Sequence, residues 1–475
     1  AGEAWVVANN YRRGDFKPYA FYTQDYGATW KSLVDENKVK GYVLSLIQDP
    51  VEPRLVFLGT EHGLWVSIDK GTNWVQWKHG YPSASTMDLE IQEREADLVI
   101  GTFGRSVYVL DDIRPLRKIA STGASALNNK FMVFDPPVGY ITGYKSAPGI
   151  SSGGDGMYNG ENRTGGGRLR YYLKPDEDKE KDPAANEIKN GKKKGSKSEE
   201  ESGDVEKDEK KVKYDSVKVE IFNAEGEKIR TLMEKADTGV NTIVWGYFKK
   251  GVRYPGRYAF GGGQGGGRFS SSGAGQEPRG FIDLPGTYKV VMTCGDIKDS
   301  TSITTEYSPL MPIDIKGLEK QEVMFDELNV KASLVYKALE RLNDSKKVTD
   351  NVMSQIKDRD EEDIKELKKE TKAIQDSIKA LNEFIYGESS EKQGISDRSQ
   401  VNVSSKLGQT RDFLLSRLTG PTATEEKLMD ECDIMVKEAI EKVNVFYTTQ
   451  WPGYREKIEN TQLIQFRDYE PLKLE

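Results

Sequence analysis

Histidine is nearly absent, with only His62 and His79 in 475 residues. That argues against a histidine-built zinc site and against a Ser-His-Asp triad, since both histidines stand among turn residues and no nucleophile elbow accompanies them. Cysteine is equally scarce. Cys294 and Cys432 lie far apart in segments of different type, so there is neither a disulfide framework nor metal-type spacing. No apolar run approaches the roughly 18 residues that a membrane-spanning helix needs. A basic excess is missing too: Lys plus Arg is 69 against 76 Asp plus Glu, a net charge of −7, which disfavours a general nucleic-acid binder. The opening Ala1-Gly2-Glu3-Ala4-Trp5 is no signal peptide and reads as the middle of a strand, so a cleaved piece or fragment of a longer product is expected.

What the chain has is an internal repeat. Thr23-Gln24-Asp25-Tyr26-Gly27-Ala28-Thr29-Trp30 returns 44 residues later as Ser67-Ile68-Asp69-Lys70-Gly71-Thr72-Asn73-Trp74. Each copy follows an aromatic or apolar strand, Ala20-Phe21-Tyr22 and Gly63-Leu64-Trp65-Val66. In such a turn the hydroxyl and the Asp bond nearby backbone groups, the Gly takes a positive φ, and the Trp folds beneath. A decayed third copy runs from Gly101-Thr102 to Asp111-Asp112, its start matching Gly59-Thr60. The period suits a four-stranded propeller blade.

The pattern resembles the Asp-box (BNR) repeat of sialidases, xyloglucan-degrading glycosidases and sortilin-type receptors. It is similar, more closely, to large secreted Bacteroidetes-type proteins described as BNR-repeat, glycosyl-hydrolase-like or sortilin-like. In those, a segment like 104–116 closes the propeller. The resemblance implies that Thr23, Asp25, Gly27, Trp30, Ser67, Asp69, Gly71 and Trp74 are structural and lie away from any active site. The fold expected is mainly β followed by α: a partial Asp-box β-propeller over 1–120, an Ig-like β-sandwich over 121–310 and a C-terminal antiparallel helical bundle over 317–460, with a tail at 461–475. Two or three blades cannot close a propeller, so an N-terminal propeller half is an expected partner, from the same gene product or as a separate chain. Completion by oligomerisation is the alternative.

The sandwich rests on Arg168–Leu173, the hairpin Val217–Phe222 to Ile229–Leu232 across Asn223-Ala224-Glu225-Gly226-Glu227, the strand Gly239–Trp245, and the hairpin from Pro285-Gly286-Thr287-Tyr288 that returns through 300–305. These resemble the Ig-like domain of flagellar-hook capping proteins. Inserts near 145–167, 176–211 and 251–280 read as loose loops; the first and third are Gly-rich without phosphate-loop spacing, and the second is dense in mixed charge. The third is either a floppy loop or a cover for a neighbouring surface, with Gly256-Arg257-Tyr258 and Arg268-Phe269 as contacts. Beyond it, Ile364, Leu367, Thr371, Ile374, Ile378, Leu381 and Ile385 keep a 3-4 spacing, flanked by helical patterns at Leu328–Leu342, Val403–Leu418 and Leu428–Phe446. Thr422 with Glu425 forms a capping box, and Cys432 sits on an apolar stripe.

A glycosidase needs two facing carboxylates, and a sialidase-type site an arginine cluster with Tyr and Glu. Asp88, Glu90, Glu93, Arg94 and Arg105 are candidates that no single blade can assemble. Arg105 either faces the propeller's central channel or ties adjacent blades together. No catalytic, cofactor or metal residue is assigned. The function expected is a secreted or cell-surface binding or scaffold protein for protein or glycan ligands, located in the bacterial periplasm or on the outer cell surface. The alternative is the accessory, C-terminal portion of a glycoside hydrolase; a third possibility is a subunit of a cell-surface assembly.

Overall fold

The computed structural model describes residues 2–142, 164–175, 214–256, 277–310, 313–357, 359, 361–387, 401–416 and 418–461. The chain is mixed β and α, with several sheets and a C-terminal helical region. Its described residues form two compact units. One holds those up to Ile141, those from 164 to Tyr247, and Leu284–Glu306; the other holds those of Phe248–Asp283 and from Tyr307 onward. Most of the three inserts expected near 145–167, 176–211 and 251–280 lies outside the described residues.

The first unit opens with three consecutive antiparallel sheets. β1 (Ala4–Asn10), β2 (Asp15–Thr23) and β3 (Lys31–Ser32) make the first. β4 (Val43–Gln48), β5 (Val56–Thr60), β6 (Gly63–Ser67) and β7 (Val75–Trp77) make the second, paired in chain order. β8 (Thr86–Gln92), β9 (Asp97–Thr102) and β10 (Val107–Leu110) make the third. Alternation along the strands explains the packing. Ala20 and Tyr22 of β2 meet Val56, Leu58 and Trp65 in one core, while Phe57, Leu64 and Val66 on the other face meet Leu89, Ile91, Leu98 and Ile100. The second sheet is therefore buried on both faces, and β5 and β6 are continuous apolar runs for that reason.

The outer sheets are buried on one face only. The outward face of the first carries Ala4, Val6 and Ala8 beside Phe21, with Val6 44% exposed. The outward face of the third carries Val107 and Val109 across from Gly101 and Val99, with Asp88 and Glu90 on the far strand. Val107 and Val109 are 60% and 54% exposed.

α1 (Arg114–Thr122) starts with Pro115, whose missing N–H costs nothing in a first helical turn. It packs Ala120 on the third sheet's core and Ile119 on Met132, Phe134 and Tyr172 of the next layer. That layer comprises β11 (Phe131–Val133), β13 (Gly167–Leu173) and β16 (Gly239–Trp245) in the order β11-β13-β16. A five-stranded sheet adds β12 (Gly139–Ile141), β14 (Ser216–Phe222), β15 (Lys228–Lys235), β19 (Gly286–Cys294) and β20 (Ile297–Tyr307), ordered β12-β20-β19-β14-β15. Val217, Val219 and Ile221 alternate inward, and Trp245 stands edge-on to Tyr288 at 5.0 Å. The β14–β15 turn closes as its sequence suggests: Asn223 Oδ1 accepts from the Glu227 N–H at 2.8 Å and Gly226 takes φ 82°.

In the second unit, the strands β17 (Phe248–Lys250) and β18 (Arg279–Ile282) pair with each other. They and the adjoining residues lie on the helices: Phe281 packs on Phe325 at 5.5 Å, Lys249 reaches Glu322 at 2.5 Å, and Tyr254 bonds Asn329 at 3.2 Å. The helices are α2 (Ile315–Ile356), α3 (Glu362–Tyr386), α4 (Val403–Leu415), α5 (Ala423–Val445) and α6 (Trp451–Asn460). The Thr422–Glu425 capping box forms, and Asn402 with Ser405 makes a second one at α4. The stripe Ile364, Leu367, Thr371, Ile374, Ile378 and Ile385 is buried, with Leu381 at its margin.

The helices do not alternate in direction. Lys320–Glu426, Lys331–Asp433 and Ser345–Tyr447 advance together, so α2 and α5 run parallel. Glu366–Lys457, Thr371–Tyr454 and Phe384–Lys442 set α3 against α5 and α6. Gln321 donates to the Leu414 carbonyl beside the Lys320–Glu426 pair, so the end of α4 meets the start of α5, and Lys406–Glu431 lies further along, which sets α4 against α5. α3 and α4 thus follow one another along a single antiparallel track. Length explains this correction to the alternating bundle expected: α2 has 42 residues and α3 and α4 have 25 and 13. At 1.5 Å per residue, about 63 Å of α2 matches about 57 Å of the other two end to end.

Candidate functional site

Two rims bound the three N-terminal sheets. One carries the turns after β2 and β6. Thr23 Oγ1 donates to Asp25 Oδ1 at 2.8 Å and accepts from the Gly27 N–H at 3.0 Å, while Asp25 accepts from the Thr29 N–H and hydroxyl at 2.8 and 2.6 Å. The second turn repeats this: Ser67 donates to Asp69 at 2.8 Å and accepts from Gly71 at 2.8 Å, and Asn73 donates its N–H and amide at 2.8 and 2.7 Å. Gly27 and Gly71 take φ 86° and 81°, after Tyr26 and Lys70 at 58° and 57°. Hydrogen bonds from Thr29 and Thr23 hold the Asp25 carboxyl at about 2. For Asp69, burial acts upward, but the bonds from Asn73, Ser67 and Thr72 outweigh it and the net shift is downward.

The two tryptophans differ. Trp74 is buried and donates its indole N–H to the Leu33 carbonyl at 3.2 Å, across the junction with the first sheet. Leu33 methyl groups approach to 3.3 Å of where a Gly71 side chain would begin. Trp30, in the same place on the first sheet, is 46% exposed.

The opposite rim is made by the equivalent tips β1–β2, β5–β6 and β9–β10. There, Tyr11 stacks on Tyr42 at 4.8 Å with a 19° interplanar angle, and Phe16 lies 6.2 Å from Tyr42. Phe16 is 56% exposed and Tyr11 37%. Arg12 Nε donates to Tyr11 Oη at 3.4 Å. Gly41 takes φ 82°, and its missing side chain leaves room for the His62 ring, 2.9 Å from where a Cβ would stand. Glu61 donates its N–H to the Tyr42 carbonyl at 3.1 Å and stands 3.7 Å from His62 Nε2. Contacts continue along the rim: Ser85 Oγ donates to the Glu61 carbonyl at 3.1 Å, and Phe103 donates its N–H to Ser85 at 2.9 Å. Phe103 is 76% exposed, and Arg105 is exposed on the same tip between Gly104 and Ser106, both at positive φ.

The other candidates scatter. Asp88, Glu90 and Glu93 are exposed, and Arg94 pairs with Glu95 at 3.1 Å. Sequence reasoning missed the buried ionic groups. Asp49 is gripped by Arg117 Nε and Nη2 at 2.9 and 2.8 Å. Asp112, also buried, takes Arg114 at 2.8 Å with Arg170 3.6 Å away, and Arg170 donates to the Asp112 and Asp111 carbonyls at 2.7 and 3.2 Å. Guanidinium partners thus close on both buried carboxylates, and the second arrangement joins the residues after the third sheet to β13. Asp111-Asp112 was visible in sequence, but its partner in β13 lies 58 positions away.

No family model matches the chain, and no curated protein matches it. Among solved structures it is similar to the GH74 xyloglucanase from Xanthomonas campestris, at 15% identity and a TM-score of 0.19, over 36% of this chain and 27% of that one. The chain thus matches little more than a quarter of that enzyme's length, and a score this low gives neither fold nor activity. Among the described residues no helix is long and apolar enough to cross a membrane, and no group of His, Cys, Asp and Glu is arranged to hold a metal ion.

Proposed function

We propose that this chain is the later part of a secreted or cell-surface bacterial binding protein. On this reading the three N-terminal sheets are consecutive blades of an Asp-box propeller, the two layers after them are an Ig-like sandwich, and the helices are a docking platform. Thr23, Asp25, Gly27, Trp30, Ser67, Asp69, Gly71 and Trp74 hold the blades, and ligands meet the opposite rim, where Arg105 stands. The missing blades come from further sequence of the same gene product, in the same or a separate chain.

The observation that carries the reading is the contrast between Trp74 and Trp30. The same turn that seats Trp74 on Leu33 of the preceding sheet leaves Trp30 half uncovered. The valine-bearing outward faces support the same conclusion, since exposed strands of Val6, Val107 and Val109 are what a neighbouring blade covers. The test is native mass spectrometry of material purified from its source. A further blade-bearing polypeptide is expected, either travelling with this sequence or continuous with it. A folded, monomeric chain of these residues alone sinks the reading. The assembled particle is then assayed for glycosidase turnover, and turnover that depends on Asp88 or Glu90 favours the hydrolase alternative over a pure binder.

A further inference from the structure

Three aromatic rings at the rim opposite the Asp-box turns do little to hold the sheets together. Phe16 and Tyr11 are 56% and 37% exposed, and Tyr42 is half-buried beneath them. They are not on the outward blade face. Phe16 precedes Ala20 and Tyr22 on the side of β2 that faces the second sheet, and Tyr42 leads into β4. The rings therefore line the mouth between two neighbouring sheets. Around them stand groups suited to hydroxyls: the Arg12 guanidinium, the Glu61 carboxylate and the exposed His62 imidazole, with the latter two only loosely paired at 3.7 Å.

From this geometry we infer that Phe16, Tyr11 and Tyr42 form a saccharide platform for a neutral hexopyranose chain. A pyranose ring has an apolar C–H face that fits an aromatic ring, and a rim of hydroxyls that needs donors and acceptors in nearly the same plane. Arg12 and Glu61 beside the rings carry opposite charges, and the further cations Arg13, Lys17 and Lys40 are exposed to solvent, where their charge is screened, so no buried charge here selects an ionic ligand. The contacts from Glu61 through Ser85 to Phe103 carry the surface across the third tip, which matches an extended ligand better than a single sugar. The platform names the ligand class within the binding reading above, and it rests on that reading only for the rim's being the ligand side.

The test is affinity electrophoresis of the full chain in native gels containing soluble mixed-linkage β-glucan, xyloglucan, galactomannan or, as an acidic control, polygalacturonate. Retardation by at least one neutral polymer and none by polygalacturonate is expected. Phe16→Ala and Tyr11→Ala should each weaken that retardation about tenfold at unchanged melting temperature, and Tyr42→Phe, which keeps the ring, should leave it near wild type. No retardation by any neutral polymer overturns the platform, as does retardation untouched by Phe16→Ala. If Phe16→Ala instead releases a co-purifying protein, the surface is a protein contact. Each of these failures leaves the mass measurement of the missing blades unaffected, so the two proposals fall separately.

Discussion

Arg117, on a short helix beyond the third sheet, closes two hydrogen bonds on one oxygen of Asp49, in the β4–β5 turn of the second. Asp49 is 1% exposed, and its other oxygen accepts from the Val51 and Glu52 N–H groups at 2.9 and 2.6 Å. The pair is a clasp between consecutive sheets, made where the turn needs a carboxylate for its own backbone.

Removing one half of a buried pair leaves the other charge unsatisfied. Arg117→Met should therefore destabilise the first unit by about 3 kcal/mol. Adding Asp49→Asn keeps an acceptor for the turn and removes the stranded charge, so the double variant should recover much of the loss. Urea unfolding followed by tryptophan fluorescence reads this unit, which holds every tryptophan but Trp451. A double variant no better than Arg117→Met alone contradicts the clasp.

Asp25 sets an acid dependence. Its folded carboxyl lies at about 2, below the roughly 3.9 of an unfolded aspartate. The unfolded chain binds the proton first as pH falls, so the stabilisation is whole above about pH 4 and fades toward about pH 2. Asp69 is shifted the same way. Asp25→Asn with Asp69→Asn should flatten the loss of melting temperature between pH 4 and 2, and a slope equal to wild type would contradict the assignment.

The paired tryptophans should respond unequally. Trp74→Ala opens a buried site and is expected to cost about 3–5 kcal/mol. Trp30→Ala, at a half-exposed site, should cost well under half of that in this chain alone. On the proposed reading a covering blade buries Trp30 as the first sheet buries Trp74, so the cost of Trp30→Ala should rise toward that of Trp74→Ala when the further polypeptide is present, and a thermal-shift series with and without it measures the change.

Both thiols are free and buried, and burial raises each above the ordinary cysteine range. Cys294 and Cys432 should ignore Ellman's reagent in the native chain, and both should react in denaturant. Fast labelling of Cys432 would mean that the contact between α4 and α5 opens.

Local chemistry made the Asp turns, the Asn223–Glu227 hairpin and the α3 stripe legible in sequence, because each is specified within ten or so residues or by a fixed period. The reach of α2 beside two shorter helices was not legible, since direction follows from which lengths match and not from any motif. The seating of Tyr254 and Phe281 on the helices was legible only in part, since the glycines of that stretch suggest a loop or a cover for a neighbouring surface and single out neither ring. The Asp112–Arg170 junction and the Phe16–Tyr42 rim were invisible for one reason: a single Asp, Arg, Phe or Tyr carries no signal until the fold brings its partner near.

The helix that ends the described chain has an angular adjustment built into it. Between α5 and α6, Phe446–Gln450 form one π-helical turn, just before Pro452, whose ring has no N–H to give and would crowd the carbonyl four residues back. The widened turn takes in one extra residue, so each residue after it is set back by about 100° around the axis relative to an uninterrupted α-helix. On α6 beyond it, Tyr454 is buried and bonds Thr371 at 3.2 Å, and Lys457 reaches Glu366 and Glu370 at 3.1 and 2.7 Å. The α-helical ladder is interrupted there, so the grip of Tyr454 and Lys457 on α3, and not the backbone alone, fixes where the last helix points.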